Sequence, residues 1–250
     1  MNNKFEQPCG ILACCRYAFM PNKLQYCGGD RNRLIFDYTA HAEYSPTLNA
    51  ALGEFETLCP YLKLIASANK IADIFDARVV EAYWIGNDLL RNVQMKKIYN
   101  HFVDGLHLKR KIKLGQFEKI VGKIPRGALP HHSFHVFNIW QRTGHLPIAH
   151  TIETMDNCRI GWGKIIKVGK NELEVSAPGL KLEGGKLILS EPENRKVIYK
   201  MLGQSFVTDP AIGEWVSFHW GWVCDRLTEI NVANLKKYTE YSLALANLGT

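Results

Sequence analysis

Cys158-Arg159-Ile160-Gly161-Trp162-Gly163-Lys164-Ile165-Ile166-Lys167-Val168-Gly169 is the stretch on which the fold turns. Before it, apolar residues recur three and four positions apart, the period of a helix. From it onward they come in alternation or in short β-branched runs closed by glycine, the signature of strands. Working toward the C-terminus, Glu172-Leu173-Glu174-Val175 is the hairpin partner of the run that ends at Gly169, and Lys186-Leu187-Ile188-Leu189 follows a Gly184-Gly185 turn. A short helix is expected around 195–202, a strand over 214–223, and a final helix from about 227 to 246.

Working toward the N-terminus, Ser45-Pro46 is a helix start, with the hydroxyl as cap and proline in the first turn. Leu48, Leu52, Phe55 and Leu58 follow at helical spacing, and past Pro60 a helix continues to Ala68. Asp30 can cap a segment through Leu34, Ile35 and Tyr38. Asp76 can cap another that carries Val79, Val80, Tyr83, Trp84 and Leu90 toward a core. Gly115, Gly122, Pro125 and Gly127 mark looser ground. The segment from His131 to Trp140 suits helix or strand. Its β-branched and aromatic content, with Pro130 before it and Gly144 after, reads as strand. The fold class is therefore α+β. A mainly helical domain over 1–150 precedes a small β-barrel with a C-terminal helix over 151–250. Short strands with glycine turns at close intervals are the pattern of such a barrel.

The 250 residues suffice for a real core, and 46% apolar with 22% charged residues is the composition of a globular protein. No apolar run is long enough to span a bilayer, and the N-terminus lacks a secretory signal pattern, so the expected location is cytoplasmic with no membrane partner. The seven cysteines are odd in number, irregularly spaced and without a CxxC pair, which argues for reduced thiols rather than a disulfide framework. The net charge of +7 is spread, with one cluster at Lys109, Arg110, Lys111 and Lys113; that is a weak footprint for nucleic acid. No GxGxxG, GxxxxGK[ST], GxSxG or HExxH motif occurs, so nucleotide, acyl-transfer and zincin chemistry have no sequence support.

Two segments carry a resemblance. The run from Cys158 to Ile165 resembles the opening of the HypC/HupF-type hydrogenase maturation chaperones, in which a cysteine precedes a Gly-Lys/Arg-Val/Ile strand start by the same interval. Gly213-Glu214-Trp215-Val216-Ser217-Phe218-His219-Trp220-Gly221-Trp222 resembles that family's second signature, a Gly-acidic-aromatic-Val strand leading to a histidine. The resemblance covers about residues 156–240. It implies an OB-like, HypC-like barrel and a role as an accessory protein of nickel–iron hydrogenase metal-centre assembly. It implies iron as the cofactor, with Cys158 and His219 as metal ligands. The implied partners are a HypD-type maturation protein or the hydrogenase large subunit. This chain departs from the family pattern in two ways: its cysteine is internal, and Trp162 stands where the family usually has proline. Residues 16–22, 26–28 and 130–137 resemble an uncharacterised bacterial family of this length, which brings no activity with it.

The residues themselves widen the candidate site. Alternation puts Val216, Phe218, Trp220 and Trp222 on the core face of their strand and His219 on a more polar face. Arg159 can favour a Cys158 thiolate. His131, His132 and His135 form the densest histidine cluster, a start to a metal site on either a helix or a strand, with Glu153, Asp156 or Cys158 as a third ligand. Cys27, in a turn ahead of a helix, is a candidate reactive thiol. The second functional reading is accordingly a metal-dependent enzyme with a His/Cys site between the two domains.

Overall fold

The structure, a computed structural model, describes residues 9–140 and 145–248. Gly144, one bound of the expected strand over 131–140, lies outside them. Among the described residues, eleven α-helices and seven strands follow in order. The helices of the first half are α1 (Gly10–Lys23), α2 (Asn32–Ala40), α3 (Pro46–Gly53), α4 (Leu58–Ala68), α5 (Ala77–Trp84), α6 (Met95–Asn100), α7 (Leu108–Lys111), α8 (Leu114–Val121) and α9 (His132–Phe134). Ser45 caps α3 with Pro46 in its first turn, and Asp76 caps α5, as their sequences require. Then come α10 (Ile152–Cys158), the strands β1 (Gly161–Val168), β2 (Glu172–Glu183), β3 (Lys186–Ile198), β4 (Lys200–Met201), β5 (Gln204–Ser205), β6 (Trp215–His219) and β7 (Trp222–Leu227), and the long α11 (Glu229–Ala246). The fold is thus α+β, with helices first, a five-stranded sheet, and a closing helix.

The sheet runs β1-β2-β3-β7-β6, and β6 pairs back onto β1. The β3–β7 join is a single parallel pair, Ile198 with Trp222, while the other ladders are longer and antiparallel. Gly184 and Gly185, both at positive φ, make the tight β2–β3 turn. Gly161 is required where β1 crosses β6: a Cβ there would lie 2.2 Å from the Phe218 ring.

Three local expectations are corrected. The segment from His131 is helical, not a strand: α9 runs into a π-helical turn over His135–Ile139. Its apolar run is buried on every side between α11, α10 and the first half, and a continuous run of that kind does not distinguish helix from strand by period. Residues 195–198 are strand, because Val197 and its neighbours complete the long ladder with β2. The expected strand over 214–223 is instead a hairpin, β6 and β7, folded at Trp220 (φ 52°) and Gly221 (φ 72°). Two positive φ angles in a two-residue loop match the twist of paired strands.

One cluster of buried side chains joins the helical half to the sheet. Trp222 of β7 packs edge-on against Phe19 of α1 and Phe36 of α2, with Phe206 completing the group. A second cluster, with Ile165, Leu173, Val175 and Val216, fills the interior of the rolled sheet.

Candidate metal centre at the junction of helices and sheet

His132, Cys158 and His219 meet where the two halves join, and their ligand atoms all lie within 4.8 Å of one another. His132 opens α9, Cys158 ends α10, and His219 ends β6. Three separate elements therefore supply one donor each. All three side chains are buried, at 5%, 1% and 2% exposure.

The position of each donor has a cause. His219 sits beside the β6–β7 turn, and that turn is anchored to α10: Trp220 N–H donates to the carbonyl of Asn157, next to Cys158, at 2.8 Å. The His219 Nδ1–H donates to the Tyr17 carbonyl at 2.7 Å. A carbonyl only accepts, so the proton lies on Nδ1 and the lone pair on Nε2, the orientation seen in metal-ligating histidines held by a backbone oxygen. Cys158 is fixed by its flanks. Asp156 accepts from Arg159 at 2.8 Å, from Arg195 at 2.6 Å and from the Leu180 backbone at 3.0 Å. This ties the end of α10 to β2 and β3. Arg159 itself is fully buried and stacks over Trp162, so its charge is absorbed by Asp156.

His132 lies between two oxygens, with Nε2 2.8 Å from the Cys158 carbonyl and Nδ1 3.2 Å from the Tyr83 hydroxyl. Nε2 is thus the donor here, and Tyr83 O–H donates to Nδ1. Nε2 also stands 4.0 Å from the Cys158 sulfur. Were His132 to ligate through Nε2, its proton would sit on Nδ1 and the Tyr83 hydroxyl, equally able to accept, would receive it. Burial pushes the Tyr83 phenol well above its ordinary range, so it remains a neutral partner. The Trp84 ring roofs the site, 4.6 Å from the His132 ring and 5.8 Å from that of His219.

Two imidazoles and a thiol are the donor set that binds iron, zinc and copper. Around a tetrahedral ion, donors at about 2.0–2.3 Å stand roughly 3.3–3.6 Å apart, so closure requires a contraction of about 1 Å. A small, partly open cavity of about 20 Å³ borders all three donors, enough for one water-sized species. Cys27 and His135 also line it, with Tyr83 and Trp84, and no Asp or Glu does.

The remaining candidates fall into place around this group. His135 lines the cavity but is not one of the three close donors; its Nδ1 meets the Tyr61 hydroxyl at 3.3 Å. His131 points elsewhere. It accepts from the Ser133 backbone as the cap of α9, stacks on Tyr238, and burial lowers its pKa to about 3. Asp156 is engaged by two arginines and Glu153 is exposed, so neither joins the donors. His219, expected on an accessible face, is instead covered by α1 and Trp84. Sequence reasoning passed over Tyr17, Tyr83 and Trp84 as partners of the site: Tyr83 and Trp84 read as core aromatics, which they also are, and Tyr17 lay in a segment whose resemblance brings no activity. Cys14, Cys15 and Cys224 are fully buried, and burial raises all three thiols, Cys15 to about 12. They are packing residues. No helix among the described residues is long and apolar enough to cross a membrane.

No curated protein and no solved structure matches the chain. A family model described as "Family of unknown function (DUF6390)" matches residues 6–250, so the chain that builds this His–Cys–His junction belongs to that family.

Proposed function

We propose that this protein binds iron through His132, Cys158 and His219 and serves as an accessory protein in the assembly of a nickel–iron hydrogenase metal centre. The observation that carries the reading is the meeting of Cys158 with His219. They are the two positions matching the chaperone signatures, and they come together from the end of α10 and the end of β6. On this reading the rolled sheet is an OB-like, HypC-like barrel, and a HypD-type protein or the hydrogenase large subunit is the partner. Here the cysteine is internal and buried, and a histidine from the helical half joins it. The ion is therefore held at the junction of the two halves. The test is metal analysis and infrared spectroscopy of the protein purified from a hydrogenase-producing host without chelators. The expected result is about one iron per chain, with cyanide or carbonyl stretching bands, and loss of both in Cys158→Ala. Iron-free protein from such a host, unable to take up iron anaerobically, overturns the reading.

A second reading is favoured by the cavity beside the donors: a metal-dependent enzyme whose His/Cys site lies between the two halves. Three protein ligands leave an ion a further position for a small reactant. Bound iron without cyanide or carbonyl bands would select it.

A further inference from the structure

We propose that Cys27 is the fourth donor of this centre, completing a set of two histidines and two thiolates around the ion. The inference rests on the metal-binding reading above and concerns the ion before any cyanide, carbonyl or other small ligand is bound: Cys27 fills the position such a ligand would take.

Charge is the first argument. A divalent ion bound by two neutral imidazoles and one thiolate leaves one uncompensated positive charge in a small cavity with no acidic side chain in its lining. An unpaired buried charge is strongly unfavourable. No carboxylate lines the cavity, and of its other lining residues Cys27 is the one whose side chain readily becomes an anionic ligand. Each thiol gives its proton to solvent as its sulfur binds, and two thiolates cancel the charge of the ion. His135, which lines the same space, would leave the charge in place.

The second argument is placement. Asn22, itself buried, donates to the carbonyls of Cys27 and Gly29 at 2.9 and 2.6 Å, which holds the loop after α1 in one shape. Gly28, at φ 75°, lets that loop press on Phe55; a Cβ there would lie 2.6 Å from the ring. The Tyr26 ring packs on Trp220 at 4.7 Å, and the Trp220 backbone bonds Asn157. Tyr26, beside Cys27, thus touches Trp220, beside His219, and Trp220 in turn bonds Asn157, beside Cys158; the Cys27 sulfur stands outside the three mutually close donors and moves in to ligate. Cys27 is also half-buried while the other donors are fully covered. The ion enters past Cys27, which then closes behind it.

The test is Co(II) titration of the full chain under reducing, anaerobic conditions. Wild type and the Cys27→Ser, Cys27→Ala and Cys158→Ser variants are compared by the near-ultraviolet thiolate-to-cobalt absorption. The expected result is a tetrahedral Co(II) spectrum whose charge-transfer intensity falls by roughly half in each single-cysteine variant, with affinity lowered at least about tenfold. Alkylation mapped by mass spectrometry supplies a readout that needs no variant: Co(II) should protect Cys27 of the wild type, and a chelator should expose it. Intensity unchanged in Cys27→Ser but abolished in Cys158→Ser, or alkylation of Cys27 indifferent to cobalt, overturns the role of Cys27 while leaving the centre standing. A wild type that binds no Co(II) at all overturns the centre.

Discussion

At the scale of single residues, the site depends on protons being in particular places. His219 presents Nε2 because its Nδ1–H is committed to the Tyr17 carbonyl. His219→Ala removes a donor and should cut metal affinity by well over tenfold, and His219→Gln should not restore it, since an amide is a poor substitute for imidazole. Equilibrium dialysis against a metal buffer measures both. His132→Ala should weaken binding similarly. Tyr83→Phe should weaken it less, by about tenfold, because it deletes only the group that accepts the displaced proton. Two histidines outside the donor set govern acid stability. Burial lowers His131 and His101 to about 3, against 6.5 for the ordinary side chain. Between these values the unfolded chain binds protons that the folded one refuses, so their contribution is intact above about pH 6.5 and is lost as pH falls toward 3. Each should add a slope of up to ~1.4 kcal/mol per pH unit in that window. Urea midpoints between pH 7 and 5 should fall accordingly, and His101→Gln should flatten the slope by one proton.

At the scale of elements, Cys158 is only as well placed as the end of α10. Asp156 joins α10 to β2 and β3 through two arginines and a backbone amide. Asp156→Ala leaves the fully buried Arg159 without its counter-charge. The cost should be about 3–5 kcal/mol, the range for breaking a buried pair by removing one partner. Chemical denaturation measures it. The double variant Asp156→Ala with Arg159→Met should recover part of the loss, because the stranded charge is gone. The β6–β7 turn is the other lever. Gly221 has open space around its Cα, so Gly221→Ala tests backbone strain alone and should cost ~1 kcal/mol at its positive φ. The corresponding loss of metal affinity should be small, since Trp220 still holds the turn to Asn157.

At the scale of the molecule, the aromatic cluster of Phe19, Phe36, Phe206 and Trp222 makes the helical half and the sheet share one interior. Unfolding should be a single transition, with far-ultraviolet ellipticity and tryptophan fluorescence changing together. The proposed centre, built across that junction, would couple metal to the docking of the two halves. Saturating metal at about one hundred times its dissociation constant should add ~2.7 kcal/mol, seen as a higher melting temperature that a chelator reverses. Cys158→Ser should keep the fold and lose about half or more of the metal-dependent increment.

Much of the architecture was written locally. The change of apolar period before β1, the caps at Ser45 and Asp76, and the Gly184-Gly185 turn each act within a few residues of chain, so composition alone set them. Cys158 and His219 were legible because each lies in a recognisable short segment. What only the tertiary structure decided was every question that turns on distant neighbours. The run from His131 became helix because it is enclosed on all sides, and enclosure erases the alternation that separates helix from strand. Among three adjacent histidines, His132 faces the cysteine while His131 caps its own helix and His135 turns to Tyr61. That choice depends on where α10 and α4 pack, which spacing along the chain does not encode. Cys27 comes to the same cavity for the same reason: the Tyr26–Trp220 contact joins segments that share nothing in sequence.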